Sequence, residues 1–188
     1  MILAIDPGVR ALGVALFGGL GQMNLMRAAL IRNPIKVGNG PEVAFAACEA
    51  LVRWLEVDAR RIETVIVEIP RVYGAAQQKG DQNDLIALAG IGYAASTAIV
   101  SATNRVRYFP REWKGTIDAD QMTVRIEAKL IPAERQRIEK CPASLRHNVI
   151  DAIGIGLKFV GRLEPRRVYP GATLTYDMSP EERLSRES

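Results

Sequence analysis

The sequence is short of the residues that cross-link a chain or bind soft metals: it holds two cysteines and one histidine. Cys48 and Cys141 lie far apart, and neither belongs to a Cys-x-x-Cys or Cys/His spacing, so nothing supports a disulfide framework or a structural zinc site. A reducing cytoplasm fits this usage. The N-terminus argues against a secretory leader as well: no basic n-region precedes an apolar h-region, and an acid, Asp6, stands at the sixth position. Internal repeats are absent. One uncharged stretch, LIALAGIGYAASTAIVSA from Leu85 to Ala102, is long enough to pass a crude transmembrane test. It is rich in Ala, Gly, Ser and Thr where a span would carry bulky aliphatics, it lacks basic flanks on a short loop, and strand-like segments stand on both sides. We read it as a helix packed closely on a sheet or between two subunits, and expect no membrane partner. Excess charge is also scarce, at +4 overall, but residues 104–147 hold ten Lys/Arg against six Asp/Glu and account for the whole surplus. Such clustering suits a polyanion partner, although a solvated helix face gives the same count.

What is present is apolar material in quantity. With 48% hydrophobic residues, 188 residues suffice for one domain with a substantial core, here residues 1–163, followed by a tail at 164–188. Strands are expected at about 2–6, 11–17 and 24–32, antiparallel in succession, with Gly18-Gly19-Leu20-Gly21 as the second turn. Pro41 opens a helix whose apolar positions Val43, Ala47, Leu51 and Trp54 recur at helical spacing. Thr64–Ile69 (TVIVEI) reads as a fourth, buried strand, and RVRYF, closed by Pro110, as a fifth beyond the small-residue helix. Residues 118–130 and 132–140 look helical, and Leu145–Leu163 forms a last helix, capped by Ser144. This order describes an α/β domain with a mixed sheet. The tail, with Pro165, Pro170, Gly171 and Pro180, is expected to be extended or partly ordered.

Three acids interrupt apolar surroundings. Asp6 ends the strand ILAID before the turn Pro7-Gly8, Glu68 lies near the end of TVIVEI, and Asp151 sits inside SLRHNVIDAIGIGLKFVG beside the packing residues Val149, Ile150, Ile153, Leu157 and Val160. A carboxylate at such a place needs a hydrogen-bonding partner, solvent or a cation. Each alone suits a helix cap, a turn or an Arg partner. Together at one place they would repel one another unless a cation joined them, and hard oxygen ligands favour Mg²⁺ or Mn²⁺. Two such ions ~4 Å apart can activate a water on one side of a phosphodiester and stabilise the leaving oxygen on the other. His147 and Asn148 precede Asp151 by four and three residues and share its stretch of helix surface. Gly154 and Gly156 each weaken a helix interior by ~1 kcal/mol, which calls for close packing in return.

The blocks AIDPGVRALGVALF, VIVEIP and HNVIDAIGIG resemble the three active-site blocks of the RuvC family of Holliday junction resolvases, within the RNase H-like superfamily. The resemblance covers roughly residues 2–163, and its most specific part is Asp-Pro-Gly with Gly13 five residues after Gly8. FPREWKG, Phe109–Gly115, resembles a Pro-x-x-Trp-Lys block of phage-type relatives, which points to a viral or prophage origin. The family implies a five-stranded mixed sheet flanked by helices, a homodimer, and paired nicks in a four-way or other branched DNA during recombination and repair, with Mg²⁺ or Mn²⁺ as cofactor, two ions per site. Carried over by residue, Asp6, Glu68 and Asp151 match three metal ligands. The fourth ligand position of the family, an Asp or His, is Asn148 here, so either His147 serves instead, Asn148 ligates weakly, or one metal site is loose; His147 is alternatively the group that orients the attacking water. Lys114 matches a residue that orients the scissile phosphate. The loop after Glu68 matches the segment that meets the junction core, with Tyr73 stacking on an unpaired base and Arg71, Gln78 and Lys79, together with Arg111 and Lys114, contacting DNA.

Three rivals remain. A YqgF-like RNA-processing nuclease shares the Asp-bearing hairpin, but the EWKG block, the Gln-rich loop and the extra length favour the resolvase. Actin-like kinases also place an Asp in such a hairpin, but need two domains around a nucleotide, so no nucleotide cofactor is expected. A junction-binding protein that has lost cleavage is the non-enzyme alternative, and Asn148 is the feature that supports it.

Overall fold

The computed structural model describes residues 1–19, 23–35, 41–70 and 82–163. Five strands form one sheet: β1 Ile2–Asp6, β2 Ala11–Gly18, β3 Asn24–Arg32, β4 Thr64–Glu68 and β5 Asn104–Tyr108. The spatial order is β3-β2-β1-β4-β5. The first three are antiparallel neighbours, whereas β4 runs parallel to β1 and β5 parallel to β4. Helices α1 (Pro41–Leu55) and α2 (Gln82–Ala98) supply the crossovers; α3 (Pro110–Trp113), α4 (Ala119–Lys129), α5 (Pro132–Arg135) and α6 (Arg146–Phe159) follow β5.

The central strands β1, β2 and β4 are apolar on both sides because both faces are covered. Strand periodicity sends Leu3, Ile5, Val14, Leu16, Val65 and Val67 to the face under α1 and α2, where they meet Val43, Ala47, Leu51, Ile91, Ala95 and Ile99. The alternate residues Ile2, Ala4, Ala15, Phe17 and Ile66 meet Val149, Ile150, Ile153 and Leu157 of α6, with Met122 and Ile126 of α4. A register shift between Leu16 and Phe17 opposite β3 explains why Leu25 and Ala28, three residues apart, reach the same face. Gly154 and Gly156 do pack as closely as their presence in a helix demanded: a Cβ on Gly156 would lie 2.1 Å from the Phe17 ring, and one on Gly154 would lie 2.5 Å from that of Trp113.

Four local expectations need correction. The small-residue helix ends at Ala98, short of Ala102. Its outer positions leave Gly90 against open space and Ile86 and Tyr93 exposed. The helix expected over 132–140 stops at Arg135, because the next residues pair with β3: the Ala28 N–H donates to Arg137 O, the Glu139 N–H donates to Ala28 O, and Ile138 bridges Ala28. Ser144 does not cap the last helix; it lies in a 3-10 turn, Ala143–Leu145, and Leu145 precedes α6 without a side-chain cap. That helix then ends at Phe159. Among the described residues no helix is long and apolar enough to cross a membrane.

Buried Glu134 ties this lower region together. Its carboxylate accepts from the Leu25 backbone N–H at 2.7 Å and the Ile131 N–H at 3.0 Å, and grips Arg162, just past α6, through both oxygens at 2.6 and 2.7 Å.

Candidate active site

Strand parity decides where two of the acids point. Asp6 follows Ile2 and Ala4 on the α6 side of β1, and Glu68 follows Ile66 on the same side of β4. The last paired residues of these adjacent parallel strands are Ile5 and Val67, so the two acids come one step later, side by side at the carboxyl ends. Ligand sites of open α/β sheets lie in that position. Helix α6 crosses below and adds Asp151. Gly13 lets it come so near: a Cβ there would stand 1.9 Å from the Asn148 carbonyl oxygen of α6, a backbone atom unable to give way.

A fourth element closes the site. Tyr108, the last residue of β5, is the register partner of Glu68, and the Ile69 N–H donates to its carbonyl at 2.9 Å. Pro110 then starts α3 at its first position, with Glu112 Oε2 accepting from the Phe109 N–H at 2.7 Å. This tight turn delivers Trp113 and Lys114 back to the strand ends. The buried Trp113 donates from Nε1 to Glu68 Oε2 at 2.5 Å. Lys114 Nζ lies 3.2 Å from Asp151 Oδ2 and 3.8 Å from Glu68 Oε2, and 4.9 Å from the Trp113 ring centre.

The electrostatics are strained in one direction. Burial, and then the charges of Glu68 and Asp151, hold the pKa of Asp6 well above the usual carboxylate range, against the opposing pull of Lys114. Burial also raises Glu68, which Lys114 and the Trp113 hydrogen bond pull back only in part. Burial alone would lower Lys114, but Glu68 and Asp151 outweigh it and the ammonium is held more firmly protonated. Among the described residues, three carboxylates thus face one ammonium. Hard oxygen donors with uncompensated negative charge in a poorly solvated place fit a divalent cation. Lys114 now lies between Glu68 and Asp151, and among the described residues no three His, Cys, Asp or Glu side chains are arranged to enclose a metal ion.

Asp6, Glu68, Asp151 and Lys114 are therefore brought together. Asn148 is adjacent, but its Nδ2 donates to Ala11 O at 3.4 Å, clasping the β1–β2 hairpin to α6. His147 is exposed in the first turn of α6, and Arg111 is exposed on α3. Arg71, Tyr73, Gln78 and Lys79 lie outside the described residues. The Trp113 bond to Glu68 is the feature that sequence reasoning did not supply; the Pro-x-x-Trp-Lys block put Trp113 beside Lys114, but nothing local shows that the indole reaches an acid 45 positions earlier.

No protein-family model and no curated protein sequence matches the chain. Solved structures do. RuvC of Thermus thermophilus bound to a Holliday junction substrate superposes with a TM-score of 0.58 at 20% identity, over 86% of this chain and 94% of that one. A second structure of Thermus thermophilus RuvC gives 0.53 at 18% identity, over 86% and 95%. The yeast mitochondrial Holliday junction resolvase Ydc2 gives 0.52 at 9% identity, over 86% and 81%. The five-stranded mixed sheet with its flanking helices is the fold of these resolvases.

Proposed function

We propose that the protein is a metal-dependent, structure-selective DNA endonuclease that resolves four-way junctions by paired nicks. One observation carries this reading: on a resolvase fold, Asp6 and Glu68 end two adjacent parallel strands on the face that α6 covers with Asp151, in surroundings that leave their charge short of compensation. Asp6, Glu68 and Asp151 hold Mg²⁺ or Mn²⁺, two ions per site, with Asn148 or His147 completing the second. Bound there, such ions supply an activated water and charge stabilisation at the leaving oxygen of a phosphodiester. Lys114 has a switching part: it gives up its contacts with Glu68 and Asp151 and turns its ammonium to the scissile phosphate, holding the strand in line for attack. Arg111 meets the flanking backbone, and the segment with Arg71, Tyr73, Gln78 and Lys79 meets the junction centre. A second copy docks on the outer face of α2, where Gly90 allows close approach beside exposed Ile86 and Tyr93, and presents the second nicking site. The setting is the cytoplasm of a bacterium or an infected cell.

Cleavage of a labelled four-way junction and a matched linear duplex in Mg²⁺ tests the reading, with Glu68→Gln and Asp151→Asn alongside. We expect symmetrical nicks in the junction alone, lost in both variants while junction binding persists. An RNA-processing nuclease would cut RNA instead. A wild-type chain that binds the junction tightly and leaves it intact would be a binding protein, as the use of the Asn148 amide to clasp the hairpin allows.

A further inference from the structure

Trp113 is placed by two independent contacts. Its ring occupies a notch in α6 that exists because residue 154 is glycine: a Cβ there would stand 2.5 Å from Cζ3 and 3.2 Å from Cη2 of the indole. Gly154 lies three residues beyond Asp151, so the ring rests on the same stretch of helix that carries one acid. Its Nε1–H reaches across to β4 and donates to Glu68, the second acid. The contact is made to Oε2, the oxygen that Lys114 also addresses at 3.8 Å, so neither group holds Oε1. A carboxylate with free rotation at its terminal torsion could swing away; one whose Oε2 is tied to a buried indole is held in place and leaves Oε1 as the less encumbered oxygen.

We infer that Trp113 is a positioning residue for metal: seated over Gly154, it fixes the Glu68 carboxylate relative to Asp151 so that Oε1 is the oxygen offered to a divalent cation. The inference rests on the nuclease reading above and assigns Trp113 a part in it. Groups that hydrogen-bond to metal ligands typically change metal affinity by ~10–100-fold when removed. Phenylalanine keeps an aromatic ring on α3 but removes part of the indole with the N–H, so metal-free unfolding is needed to separate lost packing from the lost donor.

The test is a calorimetric Mn²⁺ titration of the wild-type chain, Trp113→Phe and Asp6→Asn, with metal-free thermal unfolding of each. We expect Trp113→Phe to weaken Mn²⁺ binding by ~10-fold or more, to bind metal-free junction DNA like wild type, and to recover cleavage at high Mg²⁺. Wild-type Mn²⁺ affinity in Trp113→Phe, with binding lost in Asp6→Asn, would overturn the inference and leave the nuclease reading standing. No Mn²⁺ binding by the wild-type chain would bring both down. Should Trp113→Phe fail to fold, Trp54→Phe leaves Trp113 as the sole tryptophan. Its emission must then change on saturation with Mg²⁺ and stay constant when Asp6→Asn is added; an unchanged emission in the parent would equally overturn the inference.

Discussion

Asp6→Asn should stabilise the metal-free protein and remove the stabilisation that Mg²⁺ brings. The buried Asp6 carboxylate faces Glu68 and Asp151 with Lys114 as its one counter-charge among the described residues, and its pKa is held well above the usual range. A folded-state pKa above the unfolded one means that the native state binds the extra proton, so stability falls as pH rises through the raised value. In the metal-free wild type that penalty grows as pH rises from the ordinary carboxylate range near ~4 toward the raised value, and acidification relieves it. Asn carries no charge, so its metal-free melting temperature should be higher and flatter with pH. With Mg²⁺ at ~100 times its dissociation constant, the wild type gains ~2.7 kcal/mol. At ~2–4 °C per kcal/mol for a domain of this size, its melting temperature rises by ~5–11 °C. If losing one of three ligand carboxylates weakens binding ~100-fold, the same Mg²⁺ gives Asp6→Asn only ~0.4 kcal/mol, a rise of ~1 °C. Circular-dichroism melts with EDTA or Mg²⁺, between about pH 5 and 8, read both effects, and the two melting temperatures should change order on adding metal. Equal Mg²⁺ shifts in both proteins, or a metal-free Asp6→Asn that melts below wild type at every pH, would refute the electrostatic argument.

Two further substitutions probe the scaffold that holds the site. Glu134 is lowered to about 2 from an ordinary 4.5, chiefly by the Arg162 contact and the backbone N–H groups of Leu25 and Ile131, which together outweigh the opposing effect of burial. The stability it contributes is full above pH 4.5 and is lost as pH falls toward 2. At ~1.4 kcal/mol per pH unit this is at most ~3.5 kcal/mol, less whatever solvent screening reaches the partly exposed Arg162 head. Glu134→Gln should therefore lower neutral urea stability by up to that amount and flatten acid unfolding; an unchanged urea midpoint at pH 7 would remove Glu134 as an anchor. Gly13→Ala must push α6 off β2, since its Cβ would meet the Asn148 carbonyl oxygen at 1.9 Å. A cost of ~1–3 kcal/mol in urea unfolding, together with weaker Mn²⁺ binding as Asp151 moves away from Asp6, is the expected pair of results, and wild-type metal affinity would show that the contact does not set the site.

The site was legible in the sequence wherever its chemistry clashed with its surroundings. A carboxylate ending ILAID and another ending TVIVE break apolar runs, and the period of two puts both on the face of Ala4 and Ile66, where α6 packs. Gly154 and Gly156 likewise announced close contact by standing where a helix former would serve better, although not that the contact of one would be Trp113. What stayed hidden depended on partners distant in sequence. Residues 132–140 carry a helical pattern, but Ala28 offers the backbone of Arg137 and Glu139 a ladder, and buried Glu134 joins Arg162, so the chain leaves the helix after one turn. The same holds at the strand ends. Trp113 and Lys114 read locally as a packed indole and a surface cation; only β5, by ending opposite Glu68 and turning at once at Pro110, brings them to the acids. The structure thus adds a hydrogen-bond donor, Trp113, to a site in which the resemblance had already placed Lys114, and it shows Lys114 set against Glu68 and Asp151. Both groups bear on Glu68, which makes it the acid whose setting depends most on the segment after β5.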